Sequence, residues 1–201
     1  MNARGPTIAE LVVGDEPAAW ARLGFAVDGD RAQVGTTTVI LDGAGGGLRS
    51  WALRDAATTA FDGLETALAD ALPPQPAAHP NGATRIDHVV VNTPDLARTF
   101  ASLEAAGLDL RRLREHSDTV HQGFFRLGEV ILEVVGPPRP AGGDPARFWG
   151  LVAVVPDVDA LVAQAAPELF AEPRAAVQEG RRIVTVGRGA GLSVPLAFLT
   201  P

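Results

Sequence analysis

Three stretches of this chain repeat one pattern: "IAELVVGDEPAAWARLGF" from Ile8, "IDHVVVNTPDLARTFASLEAAGLDL" from Ile86, and "FWGLVAVVPDVDALVAQAAPELF" from Phe148. Each opens with a β-branched run, reaches a proline close to an acidic residue, and then turns helical. Such a repeat constrains the fold strongly, because each copy is a supersecondary unit that has to bury its apolar face against a neighbour. The middle copy is the clearest. Thr93 suits an N-cap, Pro94 the first helical position, and Gly107 the left-handed residue beyond the helix. The expectation is a strand over 86–92 and a helix over 94–106.

The segments after the helices also recur, as short strands broken by Gly and Asp turn signals. "TVILDG" at 38–43 aligns with "EVILEVVG" at 129–136, so Asp42 answers to Glu133. After the third helix come "RRIVTVG" and "LSVPLAFL", where Pro195 points to an edge strand or a bulge. Each unit therefore reads as strand, helix and about three strands. An incomplete copy at 47–72 has the strand and the helix but no strands afterward. "PPQPAAHPNGAT" at 73–84 has linker composition. The resulting division is a truncated N-terminal domain at 1–73, a Pro/Ala-rich linker at 74–84, and a fuller domain of two units at 85–201.

Composition narrows the chemistry. A chain of 201 residues, 46% hydrophobic and 20% charged, is long enough to bury a core without staples. It has no cysteine, so any metal has to be held by His, carboxylate or carbonyl oxygen. Its net charge of −7, with arginines in small groups and no interleaved aromatics, argues against a nucleic-acid partner. No apolar run approaches the roughly 20 residues of a membrane span, and "MNARGPTIAEL" lacks an apolar signal core. The compartment expected is the cytoplasm.

One carboxylate stands in the middle of an apolar strand: Glu133 in "VILEVV" at 130–135. Desolvating an unpaired carboxylate is costly, so such a group calls for a partner, a metal or a shifted pKa. Strand periodicity puts His88, Val90 and Asn92 on one face of their strand, and Ile131, Glu133 and Val135 on one face of theirs.

A tandem βαβββ unit with a His in its first strand and a Glu in its last resembles the vicinal oxygen chelate superfamily, which includes glyoxalase I, bleomycin-resistance proteins and extradiol dioxygenases. The residues carrying the resemblance are "RIDHVVVNTPDL" with "GEVILEVVG" in one unit, and "FWGLVAVVPDVDAL" with "GLSVPLAFLTP" in the next. It covers 85–200 convincingly and 6–72 weakly. The fold implied is α+β, tandem βαβββ units forming a cupped mixed sheet with helices packed outside. In such a cup the first and last strands of a unit lie side by side, which implies that His88 and Glu133 meet. The family's metalloenzymes complete the site from the paired unit, but here Gly150 matches His88, and Val194 to Leu196 match Glu133. In the N-terminal half the matching positions are Glu10 and Asp42, and the incomplete copy offers only Gly47.

His88 and Glu133 can be read as two ligands of a divalent metal (Zn, Mn, Fe, Ni or Co), as a metal-free acid–base pair, or as a buried hydrogen bond. His121 begins a strand whose alternate residues, Gly123 and Phe125, face the same concavity on this reading. With Asn92 and Trp149, His121 and Phe125 make the expected ligand-binding set. Phe124 and Phe148 are expected in the core, His116 in a solvated loop, His79 exposed in the linker, and Arg181 and Arg182 at a solvated strand end. The glycine clusters at 43–47 and 187–191 complete no phosphate-binding motif and read as turns. The expected partner is a small molecule, and paired subunits common in the family add a homodimer. The resemblance implies an enzyme polarising adjacent oxygens of a small substrate, with a metal-independent sequestration protein of the bleomycin-resistance type as the alternative.

Overall fold

In the computed structural model, which describes residues 5–70, 72 and 74–201, the chain forms two mixed sheets and few helices. The first half contains β1 (Thr7–Val13), α1 (Pro17–Arg22), β2 (Arg31–Val34), β3 (Thr37–Leu41), β4 (Leu48–Arg54) and β5 (Glu65–Leu68). The second contains β6 (Arg85–Asn92), α2 (Leu96–Ala105), β7 (Arg112–Ser117), β8 (Val120–Leu127), β9 (Val130–Gly136), β10 (Arg147–Val154), α3 (Val158–Ala163), β11 (Arg174–Ala175), β12 (Arg182–Thr185) and β13 (Leu196–Leu199). The strand orders are β2-β3-β1-β4-β5 and β11-β12-β13-β10-β6-β9-β8-β7.

The repeat is visible in the pairing. In the second half β6 runs parallel to β9 and antiparallel to β10, which runs parallel to β13. In the first half β1 pairs in the same senses with β3 and β4, and β4 with β5. Even the irregularities correspond. Register shifts fall between Ile8 and Glu10 and between Ile86 and His88, so Ala9 and Asp87 are equivalent bulged residues. A second pair of shifts makes Arg49 equivalent to Trp149.

These registers correct several sequence alignments. Glu10 does answer to His88. The equivalent of Glu133, which lies opposite Val90, is Ile40 and not Asp42, because the residue matching Val90 is Val12 and Val12 lies opposite Ile40. Asp42 falls past the end of β3 and pairs with Arg49. Ser50, rather than Gly47, matches Gly150. In the last unit Ala197 stands where Glu133 stands, one position beyond the expected range.

Two element expectations also change. The helix starts at Leu96, capped by Asp95, whose side chain accepts from the Arg98 amide; Thr93 instead receives bonds from the Asp95 amide and the Thr99 hydroxyl. No helix forms over the described part of 47–72. The positive φ of Asp55, Asp62 and Gly63 turns the chain, and Glu65–Leu68 pairs with β4 as a short parallel strand. The first unit has two strands after its helix, not three.

One buried apolar cluster runs through both halves. Phe25 stacks on Phe198 with ring centroids 5.7 Å apart, and Trp51 meets Phe148 edge-on at 5.1 Å. The segment expected to be a free linker is pinned into this joint. His79, expected to be exposed, is 8% exposed: its Nδ1 accepts from the Ala26 amide at 3.0 Å and its Nε2 lies 2.9 Å from the Gln33 carbonyl. Asn81 donates to the Leu23 carbonyl. Burial lowers the His79 pKa, against the bond to Gln33, which raises it. Its polar neighbours, not its Pro/Ala context, decide its position.

Candidate functional site

The parallel pairing of β6 with β9 sets His88 opposite Ile131 and Val90 opposite Glu133, which brings the His88 and Glu133 side chains onto one face. His88 Nε2 lies 3.8 Å from Glu133 Oε2, too far for a hydrogen bond. Each is instead held from behind. His88 Nδ1 sits 2.6 Å from Asp87 Oδ2, and Gln122 Nε2 donates to Glu133 Oε1 at 2.6 Å. The bulge at Asp87 is what makes the first contact. It breaks the alternation that otherwise sends adjacent side chains to opposite faces.

Asp87 is itself clamped. Arg181 Nη2 approaches its Oδ1 at 3.1 Å, Arg85 Nη2 lies 3.5 Å from the same oxygen, and Arg181 Nε donates to the Thr200 carbonyl at 2.6 Å. Arg181 is therefore no solvated strand end, whereas Arg182 holds Asp159 through two nitrogens. Burial raises the Asp87 pKa, but the bonds and charges of His88 and Arg181 outweigh it and hold the carboxyl at about 2. An ionised Asp87 has no proton to give, so the hydrogen between it and His88 belongs to Nδ1. In the neutral imidazole this leaves the lone pair on Nε2, aimed toward Glu133. Burial raises the pKa of Glu133, opposed by the charge of His88, the bond from Gln122, and the charges of Arg114 and His116.

Strand parity separates the other candidates. Gln122 and Phe124 on β8 lie opposite Val135 and Glu133, so they share the cup face. His121, Gly123 and Phe125 point to the other face. Phe125 is 1% exposed and packs edge-on against Phe100 of α2 at 5.4 Å. A Cβ on Gly123 would collide with the Phe100 ring, so glycine there lets the helix sit close. His121 lines a separate open cleft with Asp118, Thr119, Pro137, Pro138 and Arg139. The phase expected for this strand is thus one residue out: the aromatic of the cup is half-buried Phe124, and the polar group beside Glu133 is Gln122. Asn92 and the 51%-exposed Trp149 line a cleft of about 410 Å³ at the rim, with Thr93, Pro94, Arg147 and Phe148. His116 lies on β7 at a bulge, exposed, and not in a loop.

The paired unit adds no donor. A Cβ at Gly150 would lie 2.5 Å from the Pro195 carbonyl oxygen, so that position is closed to any larger side chain without a shift of β13. Ala197 has no donor atom. Among the described residues no group of three or more His, Cys, Asp or Glu is arranged to hold a metal. Gln122 does contribute a further atom: its Oε1 is a buried acceptor with no hydrogen-bond partner. Asp87, Gln122 and Arg181 are site residues that the sequence expectation lacks. Gln122 is findable from its place one residue after His121, once the phase of β8 is known.

No family model and no curated protein matches the sequence. Solved structures do. The chain is similar to a triple mutant of 4-hydroxymandelate synthase from Streptomyces coelicolor, with 15% identity over 96% of this chain and 92% of that one and a TM-score of 0.65. It also matches methylmalonyl-CoA epimerase from Mycobacterium tuberculosis, with 14% identity over 60% of this chain and 89% of that one and a TM-score of 0.48. A Streptomyces coelicolor methylmalonyl-CoA epimerase variant in complex with 2-nitronate-propionyl-CoA matches at 20% identity over 59% and 94%, with a TM-score of 0.46. At these identities the likeness is one of fold.

Proposed function

From a chain with the fold of the vicinal oxygen chelate superfamily, we propose an enzyme that acts on a small oxygen-bearing molecule in the cup of the larger sheet, with His88 and Glu133 as its working pair. The observation that carries this reading is the Asp87–His88 bond of 2.6 Å, with Nε2 turned toward a carboxylate 3.8 Å away. Two polar groups converge without bonding to each other, and each is fixed by an outer partner. That is the arrangement of groups kept ready for a third atom.

Their chemistry follows from their surroundings. His88 offers a lone pair on Nε2 and, on taking a proton, becomes an imidazolium stabilised by ionised Asp87. Glu133, with its raised pKa, can hold a proton and return it to a substrate. Side by side on one face, they can take a proton from a carbon next to a carbonyl and give one to the carbonyl oxygen. Phe124 and Val90 supply apolar walls, and Asn92 with Trp149 receives the part of the molecule that reaches the rim.

In place of that proton transfer, a divalent cation would suit the same donors: His88 Nε2 and an ionised Glu133 would hold it, with Gln122 Oε1, the orphaned acceptor, as the third group once the amide turns. Bound there it would act as a Lewis acid on a substrate oxygen. Three protein donors with open positions make a catalytic and not a structural site. The N-terminal 1–73 region would act as a support for this cup through the shared core.

Calorimetric titration of Mn²⁺ and Zn²⁺ into the protein tests the metal. One site per chain, lost in His88→Ala and in Glu133→Gln, is expected. A second reading, metal-independent binding of a small molecule as in the bleomycin-resistance branch, is favoured by Gly150 and Ala197, which leave the second half of the site without donors. It predicts no metal binding and full ligand binding in metal-free protein.

A further inference from the structure

We infer that the molecule taken by this cup is an anion whose carboxylate, or similarly planar acidic group, is received by Arg114 on β7. The inference rests on the proposed cup site and names its substrate class. It comes from how charge is distributed on one sheet face. Arg114 lies opposite Gln122 and Arg112 opposite Phe124, while Gln122 and Phe124 lie opposite Val135 and Glu133. Strand alternation therefore puts Arg112, Arg114 and, opposite Ile131, Arg126 on the same face as Gln122, Phe124, Glu133 and His88. Apart from Asp87, held behind His88, Glu133 is the only carboxylate of β6 to β9 on this face.

The whole chain carries 24 acidic residues against 17 basic ones. Several of its other arginines find acids, among them Arg31 with Glu10, Arg49 with Asp42, Arg98 with Asp62, Arg181 with Asp87 and Arg182 with Asp159. An acidic protein that, among the described residues, leaves Arg112, Arg114 and the exposed Arg126 without ion pairs on the face of its buried carboxylate concentrates positive potential there. The bulge at His116 adds a further basic side chain to the β7 wall, and the charges of Arg114 and His116 both act on Glu133.

A second, independent feature marks the same place. Gln122, which separates Arg114 from Glu133, keeps its Oε1 buried and without a partner, an acceptor that a hydroxyl or N–H elsewhere on the same molecule would satisfy while Arg114 takes its acid group. Arg114 is the half-buried member of the wall, while Arg112 and His116 are exposed. A guanidinium receives a planar acid through two parallel N–H···O bonds. Held by Arg114, the acidic end of the molecule would place the adjoining carbon and oxygen over Gln122, within reach of Glu133 and His88.

Calorimetry with malonate and phenylacetate, against malonamide and phenylacetamide as uncharged counterparts, tests this on the full chain. The expected result is that at least one acid binds tenfold or more tightly than its amide. Arg114→Gln should remove that preference, Arg114→Lys should restore part of it, and Arg174→Gln on β11 should leave it unchanged. Thermal unfolding of each variant checks that the fold persists. The inference is overturned if neither acid binds better than its amide, or if Arg114→Gln keeps the preference. The cup itself is judged separately. If the acids bind and His88→Ala and Glu133→Gln leave that binding unchanged, the cup reading fails whatever Arg114 does; if those variants abolish it and Arg114→Gln does not, the cup stands and only the anion inference falls.

Discussion

At the residue scale the working unit is a string of four groups, Arg181, Asp87, His88 and Glu133, in which each member fixes the state of the next. Asp87→Asn keeps the shape but removes the charge that stabilises an imidazolium and lets the ring turn over. Turnover or metal affinity should fall by about 10- to 100-fold while the melting temperature drops by only about 2–8 °C, so that the variant is still folded where activity is measured, a split that kinetics and calorimetry together would show. The same carboxylate makes an acid-stability prediction. Its folded pKa lies below its ordinary value of 3.8, so its contribution of roughly 1–2 kcal/mol is complete above that pH and is lost as pH falls toward about 2. His79 acts at milder acidity. Its folded pKa is lowered, so stability is full above 6.5 and begins to fall as pH drops through that value. Unfolding midpoints measured from pH 8 downward should show this first loss, and His79→Gln should abolish the step. Two-residue alternation gives the face of His88 and of Glu133 on their own strands, while their meeting is implied by the family resemblance, which puts the first and last strands of a unit side by side. Asp87 could not be foreseen, since only a bulge brings neighbouring residues to one site, and a bulge leaves no mark on hydrophobic pattern.

At the element scale, β8 shows what a phase error costs. Its sequence, Val120 to Leu127, is apolar on both faces, with Phe124 and Phe125 adjacent, so alternation alone does not say which aromatic faces the cup. The helix decides it. Phe100 of α2 packs on Phe125 and occupies the space a side chain at 123 would need. Gly123→Ala should therefore destabilise the fold by about 1–3 kcal/mol through overpacking. Adding Phe100→Leu should recover part of the loss, both read by denaturant melts. The segment after β4 departs from its expected helix for a related reason. "LETALADAL" has helical composition, but a left-handed Asp62 and Gly63 and a parallel edge on β4 give its start a strand partner. Tertiary pairing overrides local propensity there.

At the scale of the whole molecule the two halves share a core and a buried polar tie. Asp15 accepts from Trp20 Nε1 at 3.0 Å in its own half and from the Ser193 hydroxyl at 2.6 Å in the other, and Ser193 in turn accepts from the Gly47 amide. Asp15→Ala would leave the buried Trp20 N–H without a partner and remove the tie to Ser193, costing about 1–3 kcal/mol. With Phe25 against Phe198 and Trp51 against Phe148, the halves should unfold in a single calorimetric transition. Two separated transitions would show that they are independent. The repeat predicts the shared topology of the halves. It does not predict their joint, because contacts between copies are made by residues that the repeat does not align.

The central claim is that Asp87 holds His88 with its Nε2 lone pair presented to Glu133. Long-range ¹H–¹⁵N spectra of the imidazole rings test it most directly, since the chain has only four histidines and His88→Ala identifies the relevant signals. At pH 8 the account predicts a His88 ring protonated at Nδ1, with an unprotonated Nε2 whose resonance moves when Zn²⁺ or a bound ligand is added. A ring protonated at Nε2, or one whose signals are the same in Asp87→Asn and indifferent to either addition, would contradict it.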